Sequence, residues 1–232
     1  MRKLIKRFWQ EDGASVAIEA VIITPILAWV FVASFVFFDA FRTYSTSVKA
    51  TYAVADVLSR RTTEIASTDI EGLADVFQFL TRNTAGSSLR VTQITRQDGG
   101  YRIDWSHGTD GLTYIRASDF PDFIDRIPIM SFGDRLLMIE TFLPYNPAFS
   151  VGLSAQEFTN FTVTRPRFAG QVAFVADLPN SFVYNNNASP SGQDGFYYID
   201  GPPDDEVTND NPDWDNWDYW GHNVSGGRGR HW

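Results

Sequence analysis

Acidic side chains in two settings are the residues of this chain whose types and spacing best suit chemistry. Glu19 follows Val16-Ala17-Ile18 and opens onto a long uncharged stretch. A carboxylate there is costly to desolvate unless a cation or proton neutralises it, or unless it snorkels to an interface. Near the other end, Asp210, Asp213, Asp215 and Asp218 supply the oxygen-only donors that calcium takes. They lack the Gly at position six and the Glu at position twelve of an EF-hand loop. Trp214, Trp217 and Trp220 are interleaved with them and suit stacking on a sugar or a partner surface. His107 could be assembled with Asp104 and Asp110 into a triad on paper, but its neighbour Gly108 reads as a surface loop. The chain carries no Gly-x-Ser-x-Gly elbow, phosphate-cradling loop or His-Glu-x-x-His motif. Neither an enzyme nor a cofactor is expected. Two glycosylation sequons, at Asn160 and Asn187, are short enough to arise by chance.

Composition narrows the classes further. The absence of cysteine excludes disulfides, thiolate metal sites and cysteine nucleophiles, and three histidines leave little for a histidine metal site. The 232 residues suit one or two domains. A net charge of −9 argues against a nucleic-acid binder, which would carry a basic face. That charge is concentrated. After Arg167 come ten acidic residues, Asp177 to Asp218, against only Arg228 and Arg230, so the C-terminal stretch carries nearly all of it.

The elements that must position Glu19 start with the membrane. Ala20 to Phe38 contains no charged residue, and nineteen helical residues span roughly 28 Å, close to a bilayer's hydrocarbon core. Arg2, Lys3, Lys6 and Arg7 precede it, so the N-terminus is expected in the cytoplasm and everything after Asp39 outside. A secretory signal peptide is the rival reading, but Asp-Ala-Phe-Arg-Thr-Tyr after Phe38 makes a poor cleavage site. With no Gly or Pro over residues 26 to 66, one helix is expected from about Ser15 to Ala66. Phe41, Tyr44, Val48, Ala55 and Leu58 form its expected seam. That seam serves either a stalk or packing on the chain's own head.

Beyond the stalk an α+β head is expected, with a small, mainly antiparallel sheet. Thr68-Asp69-Ile70-Glu71 reads as a capping box that starts a second helix, with Thr68 as N-cap and an end near Asn83 to Gly86. Strands follow around an Asp98-Gly99-Gly100 hairpin, with Tyr101, Ile103 and Trp105 on one face. Leu112 to Arg116 is a candidate strand and Asp119 to Arg126 a helical turn. Arg135 to Leu143 reads as a central strand, and Phe158 to Phe168 as another, broken by Pro166. The expected organisation is a basic leader over 1–14, a transmembrane helix and stalk over 15–66, a head over 67–184, and an acidic, Trp-rich, largely irregular tail over 185–232.

Gly13-Ala14-Ser15-Val16-Ala17-Ile18-Glu19 followed by Pro25 resembles the N-terminus of TadE/TadG-like proteins, the pseudopilins or minor pilins of the tight-adherence (Flp-type) pilus system. The likeness continues through Asp39, Arg42, Tyr44 and Tyr52 to Arg60, about the first quarter of the chain. It implies cleavage by a prepilin peptidase near Gly13, Ala14 and Ser15. A cut after Ala14 leaves Glu19 as mature residue five, and a cut after Gly13 leaves it as residue six. It further implies that the new amine of one subunit pairs with Glu19 of the next, a device for register between helices. The implied partners are the lipid bilayer, other pilin-like subunits and the assembly machinery. The implied place is the bacterial inner membrane, single-pass, with the C-terminal domain in the periplasm or on a surface pilus. The alternative is a membrane-anchored periplasmic binding protein whose tail captures calcium or glycan.

Overall fold

The computed structural model describes residues 13–83, 86–184 and 196–198. Helix α1, Gly13–Ser59, is continuous through Pro25. Proline there removes one backbone donor, and the Thr24 hydroxyl donates to the Ala20 carbonyl one turn back at 2.6 Å. The helix ends at Ser59, several residues short of the expected Ala66. The next residues turn, and Ile65–Ala66 form a short strand, β1, parallel to β6, Phe174–Val175. Two backbone bonds fix this exit: the Ile65 amide donates to the Ala173 carbonyl at 2.8 Å, and the Arg167 amide to the Ser59 carbonyl at 2.8 Å.

Helix α2, Ser67–Thr81, starts two residues earlier than the capping-box reading. Asp69, not Glu71, reaches back to the Ala66 amide at 3.0 Å. Thr68 lies inside the first turn, where its amide and hydroxyl both donate to Asp177, at 3.2 and 2.9 Å. A side chain 109 positions away thus replaces the local cap. The helix stops at Arg82 in the left-handed region (φ 55°), close to the expected end.

The main sheet has the order β5-β4-β2-β3-β7, with β8 also on β3. Its strands are β2 Ser88–Gln97, β3 Gly100–Gly108, β4 Arg135–Tyr145, β5 Gln156–Thr164, β7 Ser181–Val183 and β8 Phe196–Tyr198. Every pairing in it is antiparallel. Gln97 pairs with Gly100, so Asp98-Gly99 is the expected hairpin turn, with Gly99 at φ 74°. The apolar strand β4 is flanked on both sides, as its sequence requires. Pro144 fits near its end because pairing with β2 has already stopped at Phe142. Two expectations fail. Leu112 to Arg116 is not a strand, although Ile115 is buried. Trp105 does not share a face with Tyr101 and Ile103, because β3 carries a bulge: Gln93 opposes Trp105 and Ile94 opposes Ile103, leaving Asp104 as the extra residue.

The bulge divides β3 between two cores. On the helix face Leu89, Val91, Trp105, Leu137, Ile139 and Leu143 pack with Ala50, Val54, Leu58, Ile70 and Phe77. On the other face Ile94, Ile103, Leu136 and Met138 meet Phe120, Phe123 and Met130. Phe123 comes from the short helix α3, Pro121–Ile124, and Phe120 joins it to a 3-10 turn, Ala117–Asp119; together they fulfil the expected helical turn, while Met130 follows in the connection to β4. The result is a sheet covered by helices on one side and by residues 112–130 on the other. It is an α+β fold with a long apolar N-terminal helix. Phe196–Tyr198 of the expected irregular tail is a sheet strand.

Candidate functional site

Helix α1 has two parts, distinguished by what covers it. From Ile18 to Phe31 every residue is exposed, including Ile22, Ile26, Trp29 and Phe31. This is the one helix among the described residues that is long and apolar enough to cross a membrane. From Ala33 onward a stripe at three- and four-residue steps is buried: Ala33, Val36, Ala40, Ser47, Ala50, Val54 and Leu58. The stalk and head are therefore one packed unit, and the choice left open between a free stalk and self-packing falls to self-packing over this length. Ala55 and Leu58 of the expected seam are in the core, but Phe41 is 68% exposed and Tyr44 is also exposed. The reason is steric. Small residues let a helix lie close against a sheet, so Ala, Ser and Thr take the packed face and the large aromatics point away.

The junction is polar as well as apolar. Asn160 Nδ2 donates to Ser47 Oγ at 3.0 Å and to Thr141 Oγ1 at 3.3 Å. Ser47 donates to the Tyr44 carbonyl at 2.9 Å, and Thr51 to the Ser47 carbonyl at 2.8 Å. Thr51's proton being used there, Thr141 donates to Thr51 across 2.8 Å. Each hydroxyl gives its hydrogen once, so these buried groups are satisfied, each bond adding about 0.5–1.5 kcal/mol. Nearer the exposed part of α1, the Tyr145 hydroxyl donates to the Asp39 carboxylate at 3.1 Å. Burial pushes the Tyr145 phenol above its ordinary pKa, and the Asp39 carboxylate acts in the same direction.

Glu19 lies on the exposed part, six residues before Pro25. Among the described residues it forms no ion pair. Gly13, Ala14 and Ser15 form the first turn of the same helix. Helix α1 therefore carries the expected processing and register residues on one continuous element. Asp210, Asp213, Asp215, Asp218, Trp214, Trp217 and Trp220, with residues 1–12 of the basic leader, lie outside the described residues.

The triad drawn from spacing does not assemble. Asp104 accepts from Gln93, Thr95 and Arg102 at 2.9, 2.6 and 2.9 Å, with Arg135 3.5 Å away, and so holds the bulge. His107 is not a surface residue. It is about 1% exposed, between Ser181 and Glu71. Nδ1 lies 2.8 Å from Ser181 Oγ, which itself donates to the Leu178 carbonyl and lies 2.9 Å from Ser67 Oγ. Nε2, on the other side of the ring, faces the Glu71 carboxylate at 3.5 Å. Burial lowers the His107 pKa, outweighing the opposite pull of Glu71 and Asp177. This cluster ties α2 to the sheet at β3 and β7. Sequence reasoning missed Glu71 and Ser181 because neither lies near His107 along the chain.

Comparison with protein-family models, curated proteins and solved structures finds no match to this chain.

Proposed function

We propose that this chain is a pilin-like structural or assembly subunit of a tight-adherence pilus, anchored in the bacterial inner membrane by α1 with its head in the periplasm. The observation that carries the reading is Glu19: an exposed carboxylate on an exposed apolar helix, with no cation beside it among the described residues. In a bilayer such a group needs a counter-charge, and a neighbouring subunit's N-terminal amine, charged at neutral pH, is a suitable one. The pairing fixes the axial register between helices more than it adds stability. The exposed aromatics of α1, Phe31, Phe35, Phe38 and Phe41, supply the helix-to-helix contact.

Glu19→Ala and Glu19→Leu, expressed in a piliated host, are expected to insert normally and to abolish fibre assembly. Normal fibres from either variant would refute the register role. Mass spectrometry of the mature N-terminus completes the test. A chain starting at Ala14 or Ser15 establishes peptidase processing, and an intact Met1 leaves a plain anchored protein.

A further inference from the structure

The segment joining β4 to β5, residues 146–155, is apolar, and no charge interrupts the chain between Glu140 and Glu157. Phe149 is 54% exposed and Ala148 is exposed, while Pro147, Val151 and Leu153 are half-buried. An uncharged loop with an aromatic tip is unusual for a surface meeting only water.

Its position explains the composition. A Cβ on Gly152 would stand 3.9 Å from the Phe37 ring. Tyr145, where the loop begins, bonds the Asp39 carboxylate at 3.1 Å and reaches the Val36 carbonyl at 3.5 Å. Val36 and Phe37 belong to the uncharged run that ends at Phe38. Ala33, already buried, lies five residues before that end, about 7.5 Å along the helix axis. The head therefore begins to cover α1 before the apolar run is over. A span needs roughly 20 apolar residues, and a span that uses the nineteen of this run to its end at Phe38 brings the loop to the membrane surface.

We propose that residues 146–155 form a second membrane contact, in which Phe149 enters the headgroup–acyl boundary beside α1 and sets the tilt and rotation of the head over the bilayer. The partner is the lipid surface itself. The proposal rests on the reading of α1 as a membrane span. It adds to that reading a head that lies on the membrane instead of standing clear of it.

The native chain has no cysteine, so single labels report without background. The full chain, with a solvatochromic label on Phe149→Cys, is placed in phosphatidylcholine nanodiscs doped with nitroxide lipids. Phe31→Cys marks the span. Asp98→Cys marks the opposite end of the sheet, since β4 runs eleven residues, about 33 Å, from the Arg135 end to Tyr145. Ala148→Cys repeats the test on a side chain whose loss leaves the tip intact. The expected result is a blue-shifted Phe149 label, quenched by headgroup and shallow acyl nitroxides as the Asp98 label is not. A Phe149 label matching Asp98 while Phe31 is quenched overturns the proposal. An unquenched Phe31 label overturns the membrane span instead. A blue shift that appears only in discs holding several chains also overturns the proposal, because a second copy then covers the loop.

Discussion

His107 is a buried base whose protonation the fold resists, and this has a consequence in pH. Burial lowers its pKa below the ordinary value, against the pull of Glu71 and Asp177, the charged groups that act on it. The unfolded chain therefore takes up a proton near pH 6.5, approximately, while the folded chain does not. Stability is complete above that pH and falls as the pH drops through it toward the folded-state pKa. Denaturation midpoints of the full chain in micelles, at about pH 7 and about pH 5.5, are expected to fall in the wild type and to change less in His107→Gln. Equal falls in both would show that other groups carry the acid limb. The interior position of His107 was not legible from its neighbours. Gly108 suggests a loop, yet it is the last residue of β3, and a Cβ there would lie 2.5 Å from the Leu112 carbonyl oxygen. The glycine marks a close backbone approach, which local sequence does not distinguish from a turn.

At the scale of elements, periodicity located helices and strands well and assigned their faces less well. The hairpin at Asp98-Gly99, the central apolar β4 and the anchors Phe120 and Phe123 stand where their patterns put them. The pattern on β3 misled because one extra residue, Asp104, reverses inward and outward for everything before it. The seam on α1 misled for another reason. Counting large apolar residues selected Phe41 and Tyr44, while the sheet takes Ala40, Ser47, Ala50 and Thr51. A span or oligomer helix can expose its aromatics to lipid or partner, so hydrophobicity alone does not mark the packed side. The close approach gives a direct test. Ala50→Leu, at a position 3% exposed, is expected to cost about 1–3 kcal/mol by overpacking. Tyr52→Ala, on the outward face, is expected to stay within about 0.5 kcal/mol. Chemical denaturation in micelles measures both, and equal costs would mean that the helix does not rest on the sheet as described.

The whole molecule departs most from the picture of a head on a free stalk. Ala50, Val54, Ala55 and Leu58 belong to the same core as Phe77, Leu137 and Ile139, so the last turns of α1 act as a structural layer of the head. Charge and hydropathy divide the chain into an apolar start and a polar remainder. They could not reveal this sharing, because a helix that passes from an exposed apolar stretch into a core stays apolar on one side throughout. The division that matters mechanically lies near Ala33, inside the uncharged run, and not at Ala66. Two fragments test it. A fragment beginning at Ala40 keeps the Ser47–Thr51–Thr141–Asn160 network and the helix side of the core, and is expected to unfold cooperatively on heating. A fragment beginning at Arg60 loses Val54 and Leu58, each contributing about 1.5–3 kcal/mol by burial, and uncovers Phe77 and Ile139 as well. Against a typical domain stability of about 5–15 kcal/mol, that loss is expected to leave it without near-ultraviolet circular dichroism and prone to aggregate. A well-folded head from the shorter fragment would make α1 a detachable tether, and would separate whatever the helix does in the membrane from how the head is built.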